Sequence, residues 1–470
     1  MPKNKTLEAL KRSLQDDLQS IQDREKKELN EEQKKGLKDV IEKIFEQALL
    51  DKDKPKDILD TVLEDKAEFL KIFNPWQNEE GQKLIPKFVK TINNPDSNKD
   101  FSWLEILDGD EQWQKEDNQK TKNEINDKTK HVNMRYQIPT HFHGDIDNAV
   151  LFYCMENPRG YIEDSDMDTW AEKQMFGKQT IEDYYKYTAE LRDETWKNET
   201  SQKIIKERYK LNDVTTDLTD LIEKIIYSDA EHSPLTRELK NMFDEEKEFF
   251  EEKYILKPHS NSKKPDLSEK YYYIARYYAQ LLDINGENLS KYNESEYKEE
   301  AKAEQTKALK ISEKICNLEI YPFSSSEPKL DGKGIGNTLL LNSDLSRLGV
   351  YILLRRIYRY LDNKAEKPVI IFRKYDSAWE KLFKEIFKKT FSEVESSTSE
   401  FNTYDLLEKL EENFFFCQLS SQGGGITSGN VISVPDFKAW KNIYEILKET
   451  AFTEIYDLIT KSDNEQELKD

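Results

Sequence analysis

The sequence predicts an α/β fold with a doubly wound, mostly parallel sheet of four strands, an N-terminal helical domain and a large helical insertion. Four short segments are apolar at nearly every position, which is typical of parallel strands buried on both faces. Segments with helical periodicity alternate with them, and three of the four end in loops with unusual polar residues. The predicted strands span residues 149–155, 315–321, 368–373 and 413–419.

The chain of 470 residues is long for one domain, and apolar periodicity divides it. Helical patterns between residues 7 and 92, broken at Pro55 and Pro75, predict an N-terminal helical domain over 1–107. The following segment is dense in charged and amide side chains and reads as a linker. We therefore expect a linker over 108–137, an α/β core formed by 138–165 and 310–470, and a helical insertion over 166–309.

Charge and composition narrow the functional classes. A net charge of −21 disfavours nonspecific binding of nucleic acid over the whole surface, although a local basic face is compatible with it. The N-terminus lacks the apolar segment of a secretory signal, and no apolar run is long enough to cross a membrane. A cytoplasmic protein without membrane contact is therefore expected. Cys154, Cys316 and Cys417 each lie in a predicted strand, which favours reduced core residues over metal ligands.

The end of the first predicted strand carries the most informative side chains. Asn157 and Pro158 terminate the apolar run, and ligands of open α/β sheets bind beyond the carboxyl ends of strands. A fixed amide at Asn157 can orient a water, and a carboxylate at Glu156 can act as a base or stabilise a cation. A plain Asn-Pro turn is an equally good interpretation of the spacing alone.

Three motifs together resemble the uracil-DNA glycosylase superfamily. They are the apolar strand followed by Asn157-Pro158 and Gly160, the aromatic-Pro pair that ends the second strand, and the Ser- and Gly-rich loop after the last strand. The first motif is closest to the Gly-x-Asn-Pro-Gly of the mismatch-specific branch. Here Met155 and Glu156 replace the family's Gly and small or apolar residue, and Arg159 separates the Pro from the Gly.

The resemblance implies a uracil-DNA glycosylase-like fold that hydrolyses the N-glycosidic bond of a base flipped out of a helix. It implies that Asn157 positions the water, with Glu156 assisting, and that Phe323 stacks on the base. The resemblance also places one loop in the position of the family's second motif, without its His-Pro-Ser or Asn-Pro-Ser sequence. The residues of this loop are Ser420, Ser421, Gln422 and Gly423. Tyr161 is a further candidate substrate-binding residue.

A local excess of positive charge marks a candidate nucleic-acid face over residues 347–389. Twelve Lys and Arg stand against five Asp and Glu, an excess of seven in an acidic chain. Arg355 and Arg359 lie one helical turn apart and share a face, while Arg373 and Lys374 end the third strand and suit a phosphate. A solvated helix that balances acidic neighbours is the alternative. The N-terminal helices are a possible docking surface for a protein partner.

His141 and His143, followed by Asp145 and Asp147, form the best metal candidate. A third ligand at supporting spacing is missing, so a polar loop lining the pocket is favoured, with His143 binding substrate. No metal and no cofactor are predicted. A cluster of tyrosines over 271–278 can stack on bases, but helix core is the favoured interpretation.

These observations favour a nucleic-acid-acting hydrolase of the DNA glycosylase type. Two alternatives stay open: a non-catalytic sensor module that binds nucleic acid or a nucleotide, and a metal-dependent hydrolase using His141 and His143. A role in bacterial phage defence, of the abortive-infection type, would suit this kind of acidic, mosaic chain.

Overall fold

Six short strands form a single sheet in the computed structural model of the chain. The structure describes residues 29–78, 141–156, 234–244, 273–282, 298–320, 344–392, 403–419, 425–439 and 444–461. The strands are β1 (Phe142–His143), β2 (Leu151–Met155), β3 (Ile315–Glu319), β4 (Val369–Phe372), β5 (Phe415–Gln418) and β6 (Val431–Ser433).

The central part of the sheet is parallel and its two edges are antiparallel. The strand order is β1-β3-β2-β4-β5-β6, with parallel pairs from β3 to β5 and antiparallel pairs at β1 and β6. All four predicted strands are present and pair in parallel within a mixed sheet, so the α/β prediction is confirmed. The prediction of four strands is wrong, because two edge strands of two and three residues are too short to show a periodicity.

Ten helices are described around the sheet, and most begin or end close to the predicted limits. They are α1 (Glu31–Asp51), α2 (Leu59–Glu64), α3 (Lys66–Phe73), α4 (Pro234–Asp244), α5 (Lys298–Glu313), α6 (Asp344–Leu361), α7 (Glu380–Ser392), α8 (Thr403–Phe414), α9 (Val434–Ala439) and α10 (Tyr444–Lys461). π-Helical turns span Ile274–Tyr278 and Tyr375–Trp379. The single closing helix predicted over 437–459 is replaced by α9 and α10, because β6 turns directly into α9.

The two faces of the sheet bury different helices. Side chains alternate along each strand, so Phe152 and Cys154 of β2 face one side while Leu151 and Tyr153 face the other. The first side packs against α1, α2, α3, α6, α7 and α8. The second side packs against α4, the π-helical turn at 274–278, α5 and α10.

The N-terminal helices belong to the same core as the sheet. Phe45 of α1 lies 5.7 Å from Tyr351 of α6 between ring centroids, and Phe73 of α3 lies 4.7 Å from the same ring. One hydrophobic cluster joins residues 29–78 to the sheet, and the domain limits at 1–107 stay a prediction. The described helices of the 166–309 insertion likewise form a layer of the core on the opposite face.

Cys154, Cys316 and Cys417 are buried and unpaired in β2, β3 and β5, which confirms their prediction as core residues. Among the helices that the structure describes, none combines the length and apolar character required to cross a membrane.

Candidate functional site

The strand order places a topological switch point between the carboxyl ends of β2 and β4. The chain leaves β2 for β3 on one side and later enters β4 on the other side, with the connecting helices on opposite faces. Ligands of doubly wound sheets bind at this switch point, outside the carboxyl ends of the strands. Glu156 follows β2 directly, and Arg373 follows β4 directly.

Glu156 and Arg373 form a largely buried ion pair at this switch point. The Glu156 carboxylate, 7% exposed as a residue, lies 3.2 Å from Arg373 Nε. Arg373 Nη1 donates a hydrogen bond of 3.1 Å to the Tyr277 hydroxyl, and its backbone N–H donates to the carbonyl of Cys154 at 2.9 Å. Burial alone would lower the pKa of Arg373, but the negative charge of Glu156 raises it above its ordinary value. The guanidinium is therefore permanently charged.

A second carboxyl group lies at the end of the neighbouring strand. Glu319 is the last residue of β3, opposite Met155 of β2, and it is 2% exposed. Its Oε2 atom makes no hydrogen bond to any residue within the described ranges. Burial raises the pKa of Glu319 well above its usual range; Arg373 opposes the rise and Glu156 adds to it. The site thus contains two carboxyl groups in different electrostatic environments.

Tyrosine and amide side chains line the same face of the sheet. The Tyr153 hydroxyl donates to Gln418 Oε1 at 2.9 Å, and the Tyr278 hydroxyl donates to Asn317 Oδ1. The Asn317 Nδ2 atom is buried without a partner in the described part of the chain. The predicted role of the tyrosine cluster as helix core is confirmed for Tyr278, which is fully buried.

The glycine-rich loop after β5 supports this tyrosine layer. Ile426 N–H donates to the carbonyl of Tyr277 at 2.8 Å. A Cβ atom on Gly425 would lie 2.4 Å from the carbonyl oxygen of Arg276 and 2.7 Å from that of Tyr277. The close approach that the glycines of this loop allow is therefore, at Gly425, an approach to protein backbone.

Only part of the predicted site lies in the described residues. Glu156 and Arg373 are brought together, and His143 pairs with Asn317 on the same side of the sheet. The remaining predicted substrate and catalytic positions lie outside the described residues, although the strands before them end at one edge. These positions are Asn157, Tyr161, Phe323, Ser420, Ser421, Gln422 and Gly423.

Sequence reasoning did not identify Asn317 and Glu319 as site residues. The segment 315–321 was interpreted as a uniformly apolar strand, yet its two polar residues alternate and so share one face. Polar residues at positions i and i+2 of a buried strand are costly unless they are hydrogen-bonded, so they indicate polar partners or a ligand on that face. This alternation of two polar residues is the feature of the sequence from which Asn317 and Glu319 could be identified.

The predicted nucleic-acid face is corrected by the structure. Arg355 is 1% exposed and donates to the carbonyls of Val62 and Glu64, both at 3.0 Å, and to the carboxylate of Asp147. It is not available to a phosphate, because residues of α2 cover the helix face on which it lies. Arg359 shares that face as predicted and donates to the Glu64 carbonyl at 3.3 Å.

Other basic residues of 347–389 are paired with nearby carboxylates. Arg347 lies 3.4 Å from Asp344, Lys364 lies 2.8 Å from Asp362, and Lys384 lies 2.9 Å from Glu380. Lys374 is exposed beside Arg373, in a left-handed conformation with φ of 52°. Asp362 and Glu380 are already counted among the five acidic residues of this segment, so their pairs leave the excess of seven unchanged. Carboxylates outside the segment offset three of the basic residues: Asp344 pairs with Arg347, Asp147 with Arg355 and Glu156 with Arg373.

The histidines do not form a metal centre with other described residues. No group of three or more His, Cys, Asp or Glu in the described ranges has the arrangement of a metal site. Burial lowers the pKa of His141 to about 3, so this imidazole is neutral at neutral pH. Its backbone carbonyl instead accepts a hydrogen bond of 2.8 Å from Glu319 N–H, which fixes β1 beside β3.

The described site therefore presents two carboxyl groups, one guanidinium and a layer of tyrosines at a switch point. Paired carboxyl groups in different environments are the usual equipment for general acid–base hydrolysis. No protein-family model, curated protein or solved structure matches this chain.

Proposed function

We propose that this protein hydrolyses the N-glycosidic bond of a nucleotide unit, as a nucleic-acid-acting enzyme of the DNA glycosylase type. The observation that carries the proposal is the buried pair of Glu156 and Arg373 at the switch point, with Glu319 on the adjoining strand. The motifs that resemble the uracil-DNA glycosylase superfamily support the same reaction. A role in phage defence inside the cell is part of this proposal.

Glu156 and Asn157 act on the attacking water. The ion pair with Arg373, whose Nε lies 3.2 Å from the Glu156 carboxylate, keeps this carboxylate beside the switch point. In that position the carboxylate accepts a proton from the water or stabilises the positive charge that develops on the sugar. The amide of Asn157, the next residue, orients the same water. Phe323 stacks on the base, and the loop 420–423 contacts the phosphate.

The charge distribution favours a single nucleotide unit at the buried site over broad contact with a duplex. Affinity for duplex DNA depends on many Lys and Arg contacts to phosphates. Here Arg355 is buried and Lys364 and Lys384 are paired with carboxylates. The nucleotide unit is either extruded from a strand or free in solution, and both present the same sugar–base bond.

Base release is the direct test. The purified chain is incubated with single-stranded DNA, duplex DNA containing uracil or mismatches, and free nucleotides, and released base is quantified by chromatography. We expect release from at least one class, and a loss of about 10²–10⁴-fold with Glu156→Gln and Asn157→Ala, as for removal of a general base or its water. The class that reacts identifies the source of the nucleotide unit.

A matched control is Glu412→Gln, which removes a carboxylate from an exposed ion pair with Lys409 at 2.8 Å. It is expected to leave base release unchanged. Salt-dependent binding of intact ligand, without base release from any of the three classes, would contradict the proposal and favour a sensor module.

A further inference from the structure

We propose that Glu319 donates a proton to the leaving base in the N-glycosidic hydrolysis described above. This inference rests on the proposed function and assigns a second catalytic residue to the same site. Glu319 does not belong to any of the motifs by which the sequence resembles glycosylases. Its role is inferred from its place in the sheet and from its surroundings.

The backbone position of Glu319 is fixed on both sides. In the parallel ladder, Glu319 of β3 is the register partner of Met155 of β2, so Glu156 is the next residue along the neighbouring strand. On the other side, Glu319 N–H donates to the carbonyl of His141 at 2.8 Å. Two neighbouring strand ends therefore carry two carboxyl groups to one edge of the sheet, and hydrolases of glycosidic bonds commonly use two carboxyl groups.

The carboxyl group of Glu319 is buried with an oxygen left open. The residue is 2% exposed, and Oε2 has no hydrogen-bond partner in the described ranges. A buried polar atom without a partner costs free energy, so a hydrogen bond to a ligand atom would be favourable here. The Oε2 atom, beside the Glu156–Arg373 pair, is available to hydrogen-bond with a ligand atom.

The groups around Glu319 keep it protonated. The titratable or charged side chains around it are those of His141, just before β1, Cys154 in β2, Glu156, just after β2, and Arg373, just after β4. Tyr277 adds a hydroxyl that is hydrogen-bonded to Arg373. The imidazole is neutral because burial lowers its pKa to about 3, and burial raises the pKa of the Cys154 thiol. Burial has the largest effect on the pKa of Glu319 and raises it, so the Glu319 carboxyl carries a proton while Glu156 is ion-paired with Arg373.

The hydrolysis, whether inverting or dissociative, conserves atoms and electrons. A water oxygen bonds to the sugar C1′ and its proton passes to the Glu156 carboxylate. The bond between C1′ and the base nitrogen breaks, and its electron pair stays on the base. The base then takes the proton of the Glu319 carboxyl. The products are a free base and a sugar hydroxyl, and the proton on Glu156 returns to Glu319 through solvent.

Leaving-group dependence tests this role. Base release is measured for wild type, Glu319→Gln and Glu156→Gln on two substrates that differ only in the base. One carries uracil and the other carries the more acidic 5-fluorouracil. We expect Glu319→Gln to lose about 10²–10⁴-fold on uracil, the range of general acid catalysis, and to recover most of it on 5-fluorouracil, whose anion leaves without a proton. Glu156→Gln is expected to lose activity equally on both.

The pH profile supplies a second readout. The alkaline limb of wild-type activity reports loss of the Glu319 proton and is expected to disappear in Glu319→Gln. Thermal unfolding of the isosteric Gln variant checks its fold. Infrared difference spectra of wild type minus Glu319→Gln are expected to show a protonated carboxylic acid at neutral pH.

The outcomes separate the two proposals. No base release from wild type on any substrate overturns both. Base release that Glu319→Gln leaves unchanged, or lowers equally for uracil and 5-fluorouracil, overturns the proton-donor role and leaves the hydrolase standing. An infrared spectrum that shows an ionised Glu319 at neutral pH overturns it as well.

Discussion

Arg355 joins the N-terminal helices to the sheet, and its removal gives a large, calculable loss of stability. Its guanidinium donates to the carbonyls of Val62 and Glu64 at 3.0 Å each and is ion-paired with Asp147, in the turn that leads into β2. Three parts of the chain thus meet at one buried cation. Removing one partner of a buried ion pair destabilises by about 3–5 kcal/mol, because the other partner is left uncompensated.

The two single variants are expected to differ in how much free energy of unfolding they lose. Arg355→Met removes the charge and its hydrogen bonds to both carbonyls, although the Glu64 carbonyl still accepts the 3.3 Å bond from Arg359, so we expect a loss of about 3–5 kcal/mol in the free energy of unfolding. Asp147→Ala leaves the two carbonyl bonds of Arg355 in place, and Asp147 is partly exposed, so about 2–3 kcal/mol is expected. Lys364→Ala is the control, since its pair with the exposed Glu64 carboxylate is worth about 0–1 kcal/mol.

Urea denaturation followed by fluorescence and circular dichroism measures these differences. The double variant is expected to lose less than the sum of the single losses, because the residues share one interaction. A change of less than about 1 kcal/mol for Arg355→Met, at unchanged slope with urea, would refute the assignment of Arg355 as the link between helices and sheet.

Three further predictions concern the site. Glu319→Gln is expected to gain stability relative to wild type as the pH rises above about 4.3, by up to about 1.4 kcal/mol per pH unit. The reason is that folded Glu319 holds a proton that the unfolded chain has lost, and a stability difference that does not change with pH would contradict this. Gly425→Ala is expected to destabilise by about 1–3 kcal/mol in thermal unfolding, since its Cβ would overlap the carbonyl oxygens of Arg276 and Tyr277. Tyr153→Phe removes the hydrogen bond to Gln418 and is expected to cost about 1 kcal/mol in urea denaturation, with no measurable change as the contrary result.

The sequence determined the local elements of the fold. Continuous apolar runs predicted the parallel strands β2, β3, β4 and β5, since a strand buried on both faces must be apolar at nearly every position. The same runs predicted the burial of the cysteines. The edge strands were missed, because β1 and β6 are too short to carry a pattern of their own.

The candidate site was predictable in part. Glu156 and Arg373 were chosen separately because each follows a strand, and Glu319 was hidden in a segment whose overall character is apolar. Arg355 and Arg359 were correctly placed on one helix face by their spacing. Helical periodicity predicts which residues share a face of a helix but not which other element packs on that face. The burial of Arg355 under α2 therefore could not be predicted from the sequence pattern.

Tertiary structure alone decided which of these residues meet. The strand order sets β2 between β3 and β4, so Glu156 lies between Glu319 and Arg373 although long segments of chain separate all three. Burial of a strand on both faces can be predicted from its own residues, because such a strand is apolar at nearly every position. Strand order depends on crossover connections and on which helices cover each face, and these are settled by packing across the whole chain.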